Sequence, residues 1–170
     1  MIVNLHERAL PGTTPQAAGA LIDSLADGRE AAALWPAARW PPLRLDPGLE
    51  VGARGGHGPI RYAVSDYEPG RRACFRFDPR IVDGHHWFEV TTVEGETVLR
   101  HVLAGRPRGR MRLLWPLAIR WLHDALIEDG LDRAEATLAG RAWQPRRLGR
   151  WVRLTRTAAA PRRRTAARGQ

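Results

Sequence analysis

Lysine is absent from this sequence: all 27 basic residues are Arg, set against 18 Asp and Glu. Together with abundant Ala, Gly and Pro, this reads as the codon bias of a GC-rich genome and not as selection for a basic surface. Cysteine is nearly absent. The single Cys74 excludes an intramolecular disulfide and a cysteine-rich zinc site, which makes a reducing, cytoplasmic setting the expectation. Serine occurs only as Ser24 and Ser65, neither in a Gly-x-Ser-x-Gly turn, so serine hydrolysis is not expected. Long apolar runs are missing too. The most apolar stretch, residues 111–127, is broken by Arg112, Arg120, His123 and Asp124, short of the roughly 20 residues that a bilayer span requires. The first ten residues carry Glu7 and Arg8 and no apolar run of about seven, so no secretory signal is expected. The glycine-rich stretch Gly52–Gly58 matches neither a dinucleotide fingerprint nor a P-loop and reads as a flexible hairpin tip able to flank a pocket mouth; no cofactor is expected.

What is present divides at residue 140. Residues 1–140 hold 17 Arg and all 18 acids, whereas residues 141–170 hold the other 10 Arg and no acid, so the net charge of +9 belongs to the tail. The charge of the whole chain therefore does not mark the folded part as a nucleic-acid binder. At 170 residues and 44% hydrophobic, the chain suits one domain, residues 1–140, followed by a flexible Arg-rich tail, residues 141–170. In that tail Arg146, Arg147, Arg150, Arg153 and Arg156 alternate with Trp143, Leu148, Trp151 and Val152. Such a strip can contact polyanions or an anionic membrane surface, and it equally fits a solvated, disordered extension.

Along the domain, residues 2–10 alternate and stop at Pro11-Gly12, as an opening strand does. Thr14 and Pro15 then suit the N-cap and first position of a helix carrying Ala18, Leu21, Ile22 and Leu25, and a second short helix is expected over Glu30–Leu34, before Pro36. Short strands are expected at Leu43–Asp46, Leu49–Arg54, Pro59–Tyr67, Arg71–Asp78, Gly84–Val93 and Thr97–Gly105, in meander order. A long helix follows, with an apolar stripe of Leu113, Leu114, Leu117, Trp121, Leu122, Ala125 and Leu126, ending at Gly140. Pro116 either sits in its first turn or kinks a helix that starts nearer Arg110.

Two turns set hairpin registers. A two-residue loop at Glu94-Gly95 pairs Val90 with Leu99, Phe88 with His101 and His86 with Leu103 on one face, and Glu89 with Arg100 on the other. A loop at Pro69-Gly70 pairs Tyr62 with Phe77 and Val64 with Phe75, again joining apolar residues, although Pro-Gly suits a type II turn that matches hairpin twist poorly.

Several stretches carry a family resemblance: the Pro15 helix after a strand, Leu34-Trp35-Pro36, Val51-Gly52-Ala53, Tyr67-Glu68-Pro69-Gly70-Arg71, Glu96-Thr97-Val98-Leu99 and the long C-terminal helix. Over residues 1–140 the chain resembles the START-like, helix-grip superfamily, also called SRPBCC, which includes polyketide cyclase/dehydrase and lipid-transfer-like bacterial proteins. The resemblance implies an α+β fold, with a seven-stranded curved antiparallel sheet gripping the long helix and two short helices after the first strand. It also implies an apolar cavity between sheet and helix. It implies no reaction, because members include carriers, receptors and enzymes.

The residues therefore admit three readings. In the first, a small hydrophobic or amphipathic ligand sits in a cavity walled by Tyr62, Val64, Phe75, Phe77, His86, Phe88, Val90, Leu99 and His101, with Leu117, Arg120 and Trp121 on the helix. In the second, His86, His101 or His123 acts as general base in cyclase or dehydratase chemistry; the alternative for each is a core-edge imidazole with one hydrogen bond. In the third, the tail binds an anionic partner. Arg120 and Asp124 form an i,i+4 pair facing solvent, or Arg120 clamps a ligand carboxylate. No metal site is expected, since His85 and His86 are adjacent on a strand and point to opposite faces.

Overall fold

The structure is a computed structural model and describes residues 1–27 and 34–159. Strand β1 (Ile2–Ala9) leads into helix α1 (Pro15–Asp23), capped by the Thr14 side chain accepting from the Ala17 N–H at 3.2 Å and continued by one 3-10 turn, Ser24–Asp27. Strands β2 (Leu43–Asp46), β3 (Arg54–His57), β4 (Ile60–Glu68), β5 (Arg72–Phe77), β6 (Val82–Val93) and β7 (Glu96–Pro107) follow in a meander. All seven join one antiparallel sheet in the order β1-β7-β6-β5-β4-β3-β2. Helix α2 (Met111–Leu114), a π-helical turn (Trp115–Ile119) and α3 (Arg120–Leu138) run end to end as one long helix, and α4 (Arg150–Ala159) comes last. This is the α+β helix-grip architecture: a curved sheet folded around its C-terminal helix.

The β6–β7 register agrees with the turn at Glu94-Gly95, pairing Phe88 with His101 and Glu89 with Arg100. On β4–β5, Tyr62 faces Phe77 and Val64 faces Phe75 as expected, but by a different route. The loop holds three residues, since Glu68 pairs with Arg72, and a bulge at Ser65 restores the register beyond it. The extra loop residue relieves the poor match of Pro-Gly to a two-residue hairpin.

Three expectations shift. The strand expected at Leu49–Arg54 lies at Arg54–His57, because the Ala53 N–H donates to the Glu50 carbonyl in a turn. Residues 54–57 of the glycine-rich stretch are thus ladder, while Gly58 sits in the β3–β4 turn beside the cavity: a Cβ on Gly55 would lie 1.8 Å from the Arg44 carbonyl oxygen, so only glycine permits β3 to approach β2 so closely. Of the helix expected over Glu30–Leu34, all but Leu34 lies outside the described residues.

The third concerns Pro116. The helix starts at Met111, the second of the two placements expected, and Pro116 sits inside the π turn, where the Arg120 N–H reaches back five residues to the Trp115 carbonyl. The wide turn accommodates a residue that lacks an N–H and advances the helix face by about one residue. Met111, Trp115, Ile119, Leu122 and Leu126 consequently face inward, while Leu117 and Trp121 are 61% and 47% exposed.

The core lies on the concave face, with α1 across β5–β7 and α3 beside it toward β1. Phe75, Leu99, Val64, Ile22 and Leu131 are fully buried there. At Gly130 a Cβ would lie 3.1 Å from the Leu34 carbonyl oxygen, which lets α3 press on residues 34–36. Where the tail was expected to be flexible, its described part seats on the long helix. Leu148 and Val152 pack on the core, and the Trp151 indole donates to the Leu117 carbonyl at 2.9 Å.

Candidate functional site

A cavity of about 410 Å³ lies between the sheet and the long helix. Strands β4–β7 contribute Ile60, Phe77, Val82, Phe88 and Leu103, and the long helix contributes Met111, Trp115, Ile119, Leu122 and Leu126. Trp35 and Trp40 close one side, held by indole bonds to the Pro41 carbonyl at 2.9 Å and to the buried Asp129 at 2.7 Å. A pocket of this size and apolarity falls in the range that accepts small organic ligands.

The wall residues inferred from the sequence divide. Phe77, His86, Phe88 and His101 line the cavity, as does His123. Tyr62, Val64, Phe75, Val90 and Leu99 share the same sheet face but are packed solid in the core. Leu117, Arg120 and Trp121 do not line it, because the π turn rotates them toward solvent; Arg120 instead stands 3.6 Å from Asp124 as a surface pair. Trp35, Trp40, Trp115 and His57 were missed. Their signal was the concentration of Trp beside Pro at residues 35–41 and 115–116, since buried indoles need both apolar surface and a hydrogen-bond acceptor.

Four imidazoles give the cavity its polarity. The His86 Nδ1 and His101 Nε2 atoms are 3.3 Å apart, while His86 Nε2 and His101 Nδ1 are buried without partners among the described residues. A neutral imidazole carries one N–H, so the shared bond fixes the outer nitrogens as one donor and one acceptor, whichever tautomer pair is present. His86 stacks on Phe75 and Phe77, with ring centroids 4.9 and 4.7 Å away, and His101 meets the edge of Phe88 at 4.6 Å. Burial drives both pKa values well below the usual histidine range, with neighbouring histidines adding to the effect. His57, 3.1 Å from the Tyr62 hydroxyl, falls to about 3 for the same first reason. His123 is lowered as well, its Nδ1 lying 3.8 Å from Asp124 and out of hydrogen-bond reach.

Behind this wall lies a charged seam between β1 and α3. His6 Nδ1 is 2.7 Å from Glu128 and its Nε2 is 3.2 Å from Asp124, while Arg8 reaches Asp132 at 2.7 Å and Glu135 at 2.8 Å. Burial alone would lower the His6 pKa, but the hydrogen bonds to Asp124 and Glu128 outweigh it and raise the pKa. Burial would likewise raise Asp124, yet the nearby His123 ring and the hydrogen bonds from His6 and Asn4 hold it well below the ordinary carboxylate range. Ligand atoms of His6, His123 and Asp124 lie within 4.8 Å of one another, a grouping the expected histidine set had not included. Both His6 nitrogens are already engaged by carboxylates, so an ion there must displace a proton.

The fold, then, is that of the helix-grip class. No protein-family model matches the chain, and no curated protein matches it. Similar solved structures include a protein of Nitrosospira multiformis (12% identity, TM-score 0.54, covering 80% of this chain and 94% of that one) and one of Nitrosomonas europaea (12%, 0.54, 82% and 95%). A protein of Staphylococcus saprophyticus is similar at 8% identity and TM-score 0.51, over 87% of this chain and 100% of its own. At such identities the likeness is one of fold.

Proposed function

We propose that the protein is a START-like, SRPBCC-type carrier that binds a small hydrophobic or amphipathic molecule in the cavity between the sheet and the long helix. The observation that supports this reading is the cavity itself: about 410 Å³, with walls of Phe, Leu, Ile and Trp, and imidazole nitrogens without protein partners. An apolar body fills the space, with the neutral His86–His101 pair set in its wall. Titration with an environment-sensitive fluorescent fatty acid tests this. Micromolar binding is expected, and Phe88→Arg, at a 3% exposed wall position, should abolish it while the far-ultraviolet circular dichroism spectrum is kept. A wild-type protein that binds neither dye nor fatty acid sinks the reading.

A second reading rests on the unpartnered His86 Nε2 and His101 Nδ1. Kept neutral by burial, either imidazole can accept a proton from a carbon flanked by carbonyls while its partner donates to the developing enolate, as cyclase or dehydratase chemistry requires. Turnover of an activated poly-β-keto thioester, lost in His101→Phe, separates this from pure carriage.

A further inference from the structure

The exposed members of the cavity lining mark its mouth: Pro41, Gly58, Pro59 and Arg61, with half-buried Arg39 and Arg156 beside them. They are contiguous. The Arg156 guanidinium lies 4.9 Å above the Trp40 ring and donates to the Arg39 carbonyl; Pro41 adjoins Gly58; and Arg61 Nη1 donates to the Gly58 carbonyl at 2.6 Å and the Ile60 carbonyl at 3.0 Å.

Three of these groups are Arg, and they differ in what neutralises them. Arg39 is paired with the Asp129 carboxylate at 3.0 and 3.1 Å. Arg61 and Arg156 bond only to backbone carbonyls and an aromatic face, and among the described residues neither has a carboxylate within ion-pair distance. Asp78, the one acid in the lining, is held by Arg80 at 2.7 Å. Each guanidinium carries five N–H donors in a planar fork, so donors remain on both after their carbonyl bonds are made. Two positive charges without counter-charges thus stand at the opening of an apolar chamber. The field of Arg61 reaches that chamber, contributing after burial and His123 to the lowering of His57.

Resting on the cavity reading above, we propose that the ligand is an anionic amphiphile, its apolar body in the cavity and its carboxylate or phosphate head between Arg61 and Arg156. Arg156 belongs to the Arg-rich C-terminal segment. That segment is anchored by Trp151 on the Leu117 carbonyl and by Arg146 on Asp132 at 2.8 Å, so α4 supplies half of the head-group site.

The test is calorimetric titration of the full chain with dodecanoate, dodecyl phosphate and dodecanol below their aggregation concentrations. The two anions should bind about tenfold more tightly than the alcohol, and the stronger of them identifies the head group. Arg61→Gln and Arg156→Gln should each remove most of that difference and leave dodecanol affinity unchanged, while Arg120→Gln, outside the lining, should alter nothing. Equal affinity of the wild type for dodecanol and the anions overturns the head-group proposal and leaves the cavity reading standing, and so do glutamine variants that keep the full preference. Absence of binding by all three compounds fails the cavity reading itself.

Discussion

His6 and His101 are direct register partners across β1 and β7, on the same face of the sheet, yet they titrate in opposite directions. Burial opposes the charged form of each. What separates them is the helix above: the Asp124 and Glu128 side chains reach His6, and among the described residues no carboxylate pairs with His101. His123 stands between, its ring centroid 6.0 Å from His6 and 5.1 Å from His101, where the ionic seam gives way to the apolar cavity. One strand spacing therefore divides a histidine whose charged form is favoured by its partners from a histidine whose neutral form is favoured by burial. The lesson is that the carboxylates of the opposing element, not depth alone, set the charge of a buried imidazole.

The largest effect should come from Asp124→Ala, which strips His6 and Asn4 of their shared acceptor. A loss of about 2 kcal/mol is expected in urea unfolding, typical of charge-assisted bonds, and the His6 midpoint followed by proton NMR should drop toward that of His101. An unchanged His6 midpoint would break the comparison.

Removal of residues 141–170 ranks next, because Arg146 shares Asp132 with Arg8 in the seam while Arg156 covers the cavity mouth. A fall of about 1–2 kcal/mol is expected from the lost ion pair and apolar contacts. An unchanged melting temperature would make the segment an appendage, with any polyanion affinity its own and steeply salt-dependent.

Acid sensitivity should then differ in sign between the two regions. Histidines whose folded pKa is depressed leave the fold at full strength above about pH 6.5 and weaken it as pH falls below that, because the unfolded chain takes up the protons first. His6, raised in the fold, contributes most below about pH 6.5 and loses its contribution as pH climbs through its folded pKa. His101→Phe should accordingly reduce the loss of unfolding free energy between pH 7 and pH 5 by about 2 kcal/mol, the linkage of one proton over the roughly 1.5 pH units below its unfolded pKa. A steeper loss would reverse the assignment. The smallest effect is expected from Leu117→Gln: stability within about 0.5 kcal/mol of wild type and unaltered ligand affinity, since the side chain is exposed.

Much of this organisation is legible locally. The alternation around Glu94-Gly95 states the β6–β7 register residue by residue, because a two-residue loop leaves no freedom of pairing. The β1–α3 seam is not. Its inward residues Asn4, His6 and Arg8 are the polar half of β1, while Val3 and Leu5 point to solvent, so hydrophobic alternation alone assigns the strand the wrong face. The clue was the matching run of Asp124, Glu128, Asp132 and Glu135 on one side of the long helix, four, four and three residues apart. Which apolar wall residues face a void and which pack solid is unreadable from pattern, since Phe75 and Phe77 share one strand face yet only Phe77 lines the cavity. The helix phase failed at Pro116, where one extra residue in a turn moves every following side chain around the axis.

The pairing of β1 with β7 also has a consequence in time. Ile2 lies opposite Gly105, so the strand made earliest waits for a partner roughly a hundred residues later. At about 5–20 residues per second, that delay on a ribosome is on the order of 5–20 s, whereas a hairpin such as β6–β7 closes in about 1–10 μs once synthesised. Within the sheet, the local turns of the meander are thus expected to close before β1 pairs with the free edge of β7. Because that final contact closes the longest loop in the sheet, refolding of the intact domain should fall in the millisecond-to-second range of non-local β topologies, with substitutions on β1 speeding unfolding more than they slow folding.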